Sequence, residues 1–92
     1  MKILLLEDDA ETAAAVKAGL LRERHEVVVA GDVASALRVI DAEHFEAAIL
    51  DVALPDGTGY EALAALRDGS PGAFVLMLTA RGTVEDRVKG LD

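Results

Sequence analysis

Acidic residues follow two of the short apolar segments in this sequence, at the point where each segment ends. Glu7 and Asp8 come directly after the first segment, Ile3–Leu6. Asp51 comes directly after the third, Ala47–Leu50. If the two segments are neighbouring parallel strands, their carboxyl ends meet at the edge of the sheet where ligands bind. Two carboxylates about 4 Å apart repel by roughly 4 kcal/mol at an effective dielectric constant near 20, so the group needs a proton or a cation.

The chemistry that fits such a site best is Mg²⁺ with phosphoryl transfer. Mg²⁺ prefers a few carboxylates, water and a phosphate ligand, and the sequence lacks the twelve-residue spacing of a Ca²⁺-binding loop. A carboxylate can also act as a nucleophile and become an aspartyl phosphate. Asp51 is the candidate, because it is a single acid at the end of a predicted buried strand. Thr79, after another apolar segment, could donate a hydrogen bond to a phosphoryl oxygen, and Ala80 leaves room for it.

Other polar residues near these segments have simpler interpretations. Asp9 directly precedes the first helical segment, and we interpret it as a helix cap rather than a ligand. Asp32 is a second predicted cap. His25 and His44 lie near predicted helix ends, where a surface role is expected. The segment Leu54–Tyr60 contains turn-forming residues and predicts a turn followed by the start of a helix.

The elements that must position these residues alternate between strand and helix patterns. Four segments are apolar at consecutive positions, which is typical of parallel strands covered on both faces; they are Ile3–Leu6, Val27–Ala30, Ala47–Leu50 and Phe74–Leu78. Apolar residues also recur with helical spacing, in stripes at Ala13, Val16 and Leu20, at Val33, Ala36, Leu37 and Ile40, at Tyr60, Leu63 and Ala64, and at Val84, Val88 and Leu91. The βαβαβαβα order predicts a doubly wound α/β domain with helices on both faces of a parallel sheet.

Length, composition and charge narrow the class of protein. The 92 residues, 52% of them hydrophobic, suit one small domain with an aliphatic core. The net charge of −8 disfavours non-specific contact with nucleic acid or anionic lipid. There is no cysteine, which excludes disulfides and thiolate metal sites. No segment approaches the roughly 20 apolar residues needed to span a membrane, so a cytoplasmic protein without a membrane partner is expected.

Three stretches of the sequence together resemble a known family. In order and spacing, ILLLEDD, AAILDVALPDGTGYE and VLMLTARGTVEDRVKGLD are similar to the receiver domain of two-component response regulators. The resemblance covers essentially all 92 residues. It implies a flavodoxin-like receiver over residues 1–92 with strand order 2-1-3-4, in which the fifth strand and fifth helix are missing. The last stretch resembles most the winged-helix transcription regulators, which implies a DNA-binding domain outside this chain.

The resemblance also implies a role for each candidate residue of the metal site. Asp51 would be the phosphoacceptor and would contribute to the metal site as well. Asp8 would be a direct Mg²⁺ ligand, and Glu7 would act on the metal mainly through water. The backbone carbonyl of Ala53, two residues beyond the phosphoacceptor, would supply another ligand.

Two further residues acquire switch roles from the resemblance. Thr79 would be the hydroxyl that moves toward the phosphoryl group, and Ala80 would be the small neighbour that admits this group. The family's fifth strand carries a Lys that pairs with the phosphoryl group. No Lys in this sequence has that role, because Lys89 lies on the predicted fourth helix.

The function implied by the resemblance is that of a regulatory phosphoacceptor rather than an enzyme with turnover. Its partners would be a sensor histidine kinase, DNA only through the missing domain, and a second copy of the chain through the fourth helix or the open edge strand. Two alternatives stay open: a truncated receiver that acts only as an oligomerising module, and a small Mg²⁺-dependent phosphohydrolase. Such enzymes typically carry a second carboxylate two residues beyond the nucleophile, where this chain has Ala53, which disfavours the hydrolase.

Overall fold

The computed structural model describes residues 1–78, which form a sheet with helices on both faces. In chain order, the elements are β1 (Lys2–Leu6), α1 (Ala10–Arg22), β2 (Glu26–Ala30), α2 (Val33–Ala42), β3 (Ala47–Asp51), β4 (Ala53–Leu54), β5 (Gly57–Thr58), α3 (Gly59–Gly69) and β6 (Phe74–Leu78). None of the helices in the described range has both the length and the apolar character needed to cross a membrane. The predicted fourth helix, with Val84, Val88 and Leu91, lies outside the described residues.

The main sheet has four parallel strands in the order β2-β1-β3-β6. This order confirms the predicted 2-1-3-4 arrangement, with β6 as the fourth strand. Leu6, at the end of β1, pairs with Ala30 of β2 and with Leu50 of β3. Asp51 pairs with Leu78 at the end of β6. All four strands therefore end at one edge of the sheet, which we call the carboxyl edge.

The main hydrophobic core lies between one face of the sheet and helices α2 and α3. Because side chains alternate along a strand, every second residue faces this core. The fully buried members include Leu4, Leu6, Leu50, Val75 and Met77 from the strands and Ala36, Ala62 and Leu66 from the helices. Ile3 and Leu5 are also buried but point to the opposite face, against which α1 packs through contacts with β1 and β2. The core is thus almost wholly aliphatic, as the composition predicts.

The segment between β3 and α3 differs from its prediction as a simple turn before a helix. Ala53 pairs with Thr58, and Leu54 pairs with Gly57, in a small antiparallel hairpin. Pro55 and Asp56 form its two-residue turn. The turn agrees with the prediction, but the two strands are only two residues long, which is too short to produce an apolar alternation in the sequence.

The buried face of α3 also differs from the predicted stripe. Tyr60 is 46% exposed and Ala64 is exposed, whereas Gly59, Ala62 and Leu66 are buried. Apolar character alone set the predicted phase. The helix is instead rotated so that its small residues approach the sheet.

The core arrangement predicts that a single substitution has very different effects at two leucines. Leu50→Ala leaves a cavity at a fully buried position of β3 and should lower the free energy of unfolding by about 2–5 kcal/mol. Leu21→Ala is the matched control, because Leu21 on α1 is 49% exposed, and it should cost less than about 1 kcal/mol. Urea unfolding followed by circular dichroism measures both, and equal losses would contradict the assigned core.

Candidate functional site

Three carboxylates converge at the carboxyl edge. Glu7 and Asp8 follow β1, and Asp51 is the last residue of the adjacent strand β3. One carboxylate oxygen from each of the three residues lies within 4.8 Å of the other two. Glu7 and Asp51 are partly buried, and Asp8 is exposed to solvent. The structure thus brings together the three acids that the sequence analysis placed at this edge.

Backbone contacts hold Glu7 in the cluster. Its N–H donates to the carbonyl oxygen of Ala30 at 3.0 Å, which extends the pairing of β1 with β2 beyond the strand. Its carboxylate accepts a hydrogen bond from the N–H of Asp9 at 3.0 Å. The Asp9 side chain points elsewhere, since it accepts from the N–H of Thr12 at 2.8 Å and caps α1. Hydrogen bonds from the Thr12 hydroxyl and N–H lower the pKa of Asp9. Asp9 is therefore a helix cap, as predicted.

Contacts with the end of β6 and with the start of α3 fix the position of Asp51. The N–H of Val52 donates to Leu78 O at 2.9 Å, continuing the β3–β6 pairing past Asp51. The N–H of Gly59 donates to Val52 O at 2.9 Å. A Cβ atom at Gly59 would lie 2.0 Å from the backbone oxygen of Asp51, so any larger residue would displace the strand end. Glycine is required here by this close approach.

The hairpin geometry decides where the carbonyl of Ala53 points. In antiparallel pairs, hydrogen-bonded and non-hydrogen-bonded positions alternate. The Gly59–Val52 hydrogen bond makes Ala53–Thr58 a non-hydrogen-bonded pair, and the N–H of Thr58 accordingly donates to the Glu61 carboxylate at 2.9 Å. The carbonyl of Ala53 therefore points outward from the hairpin, two residues beyond Asp51.

The cluster raises the pKa of two of its members. For Glu7 the largest cause is partial burial, and the nearby negative charges of Asp51 and Asp8 add to it. Partial burial also raises the pKa of Asp51, and the Asp8 charge raises it further, against an opposing effect of the Val52 N–H. Within residues 1–78, none of the three carboxylates forms an ion pair with Lys or Arg. The negative charge of the cluster is thus not neutralised by a side chain in this range.

The donor set fits a small hard cation. Oxygens bound to one octahedral Mg²⁺ at 2.0–2.1 Å lie about 2.9–4.2 Å apart, and the three carboxylate oxygens here lie within 4.8 Å of one another. Carboxylates this close can share one ion, either directly or through a bound water. All the donors are oxygens, and the exposed position of Asp8 leaves room for the waters that Mg²⁺ retains.

Two predicted site residues, Thr79 and Ala80, lie outside the described residues. Their roles as switch hydroxyl and small neighbour remain predictions. Asp56, which the sequence predicts only as a turn residue, makes contacts with a distant helix. Its carboxylate accepts from the backbone of α2, at Val33 and Ala34, 23 and 22 residues away in the sequence. No local pattern could have revealed so distant a partner.

A parallel sheet with acids at its carboxyl edge places the chain in the doubly wound α/β class, whose members bind ligands at this edge. Within this class, the chain belongs to the response regulator receiver domain family, whose model matches residues 3–92. It is similar to the transcriptional regulatory protein TcrA of Mycobacterium tuberculosis (strain ATCC 25618 / H37Rv), with 40% identity over 92 residues, 100% of this chain and 36% of TcrA. This relative is a transcriptional regulator, which agrees with the predicted subfamily of winged-helix transcription regulators. The chain spans less than half the length of the curated relatives it matches.

Solved structures with the same fold include two with bound groups. A response regulator from Burkholderia pseudomallei, with a phosphorylated aspartic acid, calcium ion and citrate, has a TM-score of 0.85 and 30% identity, covering 96% of this chain and 52% of that one. The receiver domain of sensor histidine kinase PA1611 from Pseudomonas aeruginosa PAO1, with a magnesium ion in its active site cleft, has a TM-score of 0.80 and 28% identity. That match covers 95% of this chain and 73% of the other.

The raised pKa values predict how stability depends on pH when no metal is present. A carboxyl group whose pKa is raised in the folded state binds more protons there than when unfolded. Its favourable contribution is therefore complete below the ordinary values, 3.8 for Asp51 and 4.5 for Glu7, and is lost as pH rises through the higher folded values. Asp51→Asn removes one charge of the cluster and should stabilise the metal-free protein at pH 7 by about 1 kcal/mol or less, after solvent screening.

Thermal unfolding in EDTA at pH 7 and below pH 4 measures this effect. The stabilisation by Asp51→Asn should shrink at the lower pH, where the wild-type carboxyl group is largely protonated. Asp41→Asn removes an exposed acid of α2 that lies outside the cluster and serves as the matched control. A lower melting temperature of Asp51→Asn at pH 7 would contradict the electrostatic account.

Proposed function

We propose that this receiver domain accepts a phosphoryl group from a sensor histidine kinase onto Asp51, with Mg²⁺ bound at the carboxyl edge. The observation that carries the proposal is the convergence of Glu7, Asp8 and Asp51 within 4.8 Å, with no Lys or Arg of residues 1–78 paired to them. Phosphorylation would control a transcription-regulating effector domain outside this chain, in the cytoplasm. The domain acts as a switch and has no turnover of its own.

The metal ligands follow from the donors at this edge. Asp8 and Asp51 would each provide a carboxylate oxygen, and Ala53 would provide its outward-pointing carbonyl. Glu7 would act mainly through water, consistent with a carboxylate already engaged by the N–H of Asp9. When bound, Mg²⁺ neutralises negative charge on the carboxylates and on the incoming phosphoryl group.

Asp51 is suited to be the nucleophile because its position is fixed. One carboxylate oxygen of Asp51 forms the new bond to phosphorus as the bond from phosphorus to the donor breaks, and the donor keeps that electron pair. Asp51 is the last residue of β3, which pairs with β1 on one side and with β6 on the other. Because Gly59 has no side chain, the start of α3 can pack directly against the backbone of Asp51. Such positioning lowers the barrier without further chemistry by the protein.

The comparisons support the proposal by analogy. The similar Burkholderia pseudomallei protein was solved with a phosphorylated aspartic acid, and the PA1611 receiver domain with a magnesium ion. TcrA, a transcriptional regulatory protein, extends well beyond the region matched by this chain. An effector domain outside the chain is consistent with that difference. The expected homodimer through the fourth helix or an open edge strand stays a prediction.

Phosphorylation can be tested with a small phosphodonor in place of the kinase. Wild-type protein incubated with acetyl phosphate and Mg²⁺ should gain the mass of one phosphoryl group, and EDTA should prevent the gain. Asp51→Asn should abolish it. Asp8→Asn should slow it by about 100-fold or more, since a metal ion supplies several kcal/mol of charge stabilisation. Intact-mass spectrometry over time measures all three.

The matched control for this experiment is Asp41→Asn, which removes an acid outside the cluster and should leave the rate unchanged. A phosphoryl adduct that persists in Asp51→Asn would move the phosphoacceptor to another residue. No adduct on the wild-type protein would defeat the proposed function for this chain.

A further inference from the structure

The N-terminus of α2 is bound by two carboxylates of different origin. Asp32, the residue before the helix, accepts from the N–H of Ser35 at 2.7 Å, which is an ordinary local cap. Asp56 comes from the turn of the β4–β5 hairpin. Its Oδ1 accepts from the N–H of Val33 at 2.8 Å, and its Oδ2 accepts from the N–H of Ala34 at 3.0 Å. Both oxygens of Asp56 are therefore used to join the hairpin to the helix.

The Asp56 contact fixes the turn of the hairpin, whose neighbour Leu54 packs against the core. The base of the hairpin is fixed by the hydrogen bonds from Val52 to Leu78 and from Gly59 to Val52. Its turn is exposed at Pro55 and Asp56. With two hydrogen bonds to the rigid end of α2, the turn cannot swing about the base without breaking them. Ala53 lies between these two fixed points.

We propose that Asp56 is a positioning residue for the metal site, acting through the Ala53 carbonyl. By fixing the hairpin turn on α2, it sets the direction of this carbonyl, which lies two residues beyond Asp51. The proposal rests on the proposed function, because it requires Mg²⁺ to bind at this edge. Removing a residue that hydrogen-bonds to a metal ligand and orients it typically weakens metal binding by about 10–100-fold.

Asp56 caps α2 as Asp32 does, but it also joins that helix end to the hairpin. A carboxylate at a helix N-terminus stabilises the helix through its N–H groups and its dipole. Asp32 already provides this at the same end of α2 and does not contact the hairpin through any hydrogen bond of the described residues. The two aspartates thus share a helix end and a charge but differ in what they connect. This difference makes Asp32 a matched control for Asp56.

The experiment measures Mg²⁺ affinity by calorimetry for the wild type, Asp56→Ala and Asp32→Ala. Both variants lose a cap of α2 and should unfold at lower urea concentration than the wild type. Only Asp56→Ala should weaken Mg²⁺ binding, by about tenfold or more, while Asp32→Ala stays within about twofold of the wild type. Asp56→Asn keeps one acceptor oxygen and should restore part of the affinity.

A second measurement follows the hairpin itself without metal. Amide hydrogen exchange at Leu54 and Gly57 should accelerate in Asp56→Ala and not in Asp32→Ala, because only the first variant frees the turn. If Asp56→Ala does not fold, Asp56→Asn carries both measurements.

Each outcome decides between the proposals. Wild-type affinity in both Asp56 variants would overturn the positioning role and leave the proposed function intact. An equal loss of affinity in Asp32→Ala would also overturn it, since capping of α2 would then explain the effect. If the wild-type protein itself fails to bind Mg²⁺, the proposed function fails and the positioning role with it.

Discussion

Three carboxylates converge and repel one another at the carboxyl edge, and the fold must hold them together against this repulsion. Parallel pairing of β1 with β3 places Glu7, Asp8 and Asp51 together. Partial burial and the nearby like charges raise the pKa of Glu7 and of Asp51. The aliphatic core under the sheet supplies the stability that opposes this repulsion. A cation at the edge would convert the unfavourable charge into binding energy. The site is thus built from groups that the apo fold tolerates rather than favours.

The roles of the acids in this region depend on whether they accept hydrogen bonds from backbone N–H groups of a helix. Asp9 caps α1 and Asp32 caps α2, and the hydrogen bonds that they accept lower the pKa of each. Asp56 is consumed by the junction between the hairpin and α2. Asp8 and Asp51 have no such helix partner among the described residues and remain available to a ligand. Neighbouring acids in the sequence therefore have opposite functions for reasons visible in their hydrogen bonds.

Much of this arrangement could be predicted from the sequence. Consecutive apolar residues ending in acid located both central strands and the cluster, and the position of Asp9 before a helical stripe identified it as a cap. The strand order came from the family resemblance, because local patterns carry no information on which strands are neighbours. The contacts of Asp56 were missed because its partners are more than 20 residues away. The burial of Gly59 instead of Tyr60 was missed because only packing against Asp51 requires it.

Diffraction from crystals grown with Mn²⁺ in place of Mg²⁺ shows whether these acids share one metal ion. Anomalous scattering locates Mn²⁺ without ambiguity from water. We expect a single strong peak within coordination distance of the Asp8 and Asp51 carboxylates and of the Ala53 carbonyl oxygen, with Glu7 one water further away. A peak only elsewhere on the surface, or no peak at the carboxyl edge at saturating Mn²⁺, would show that these acids do not share an ion.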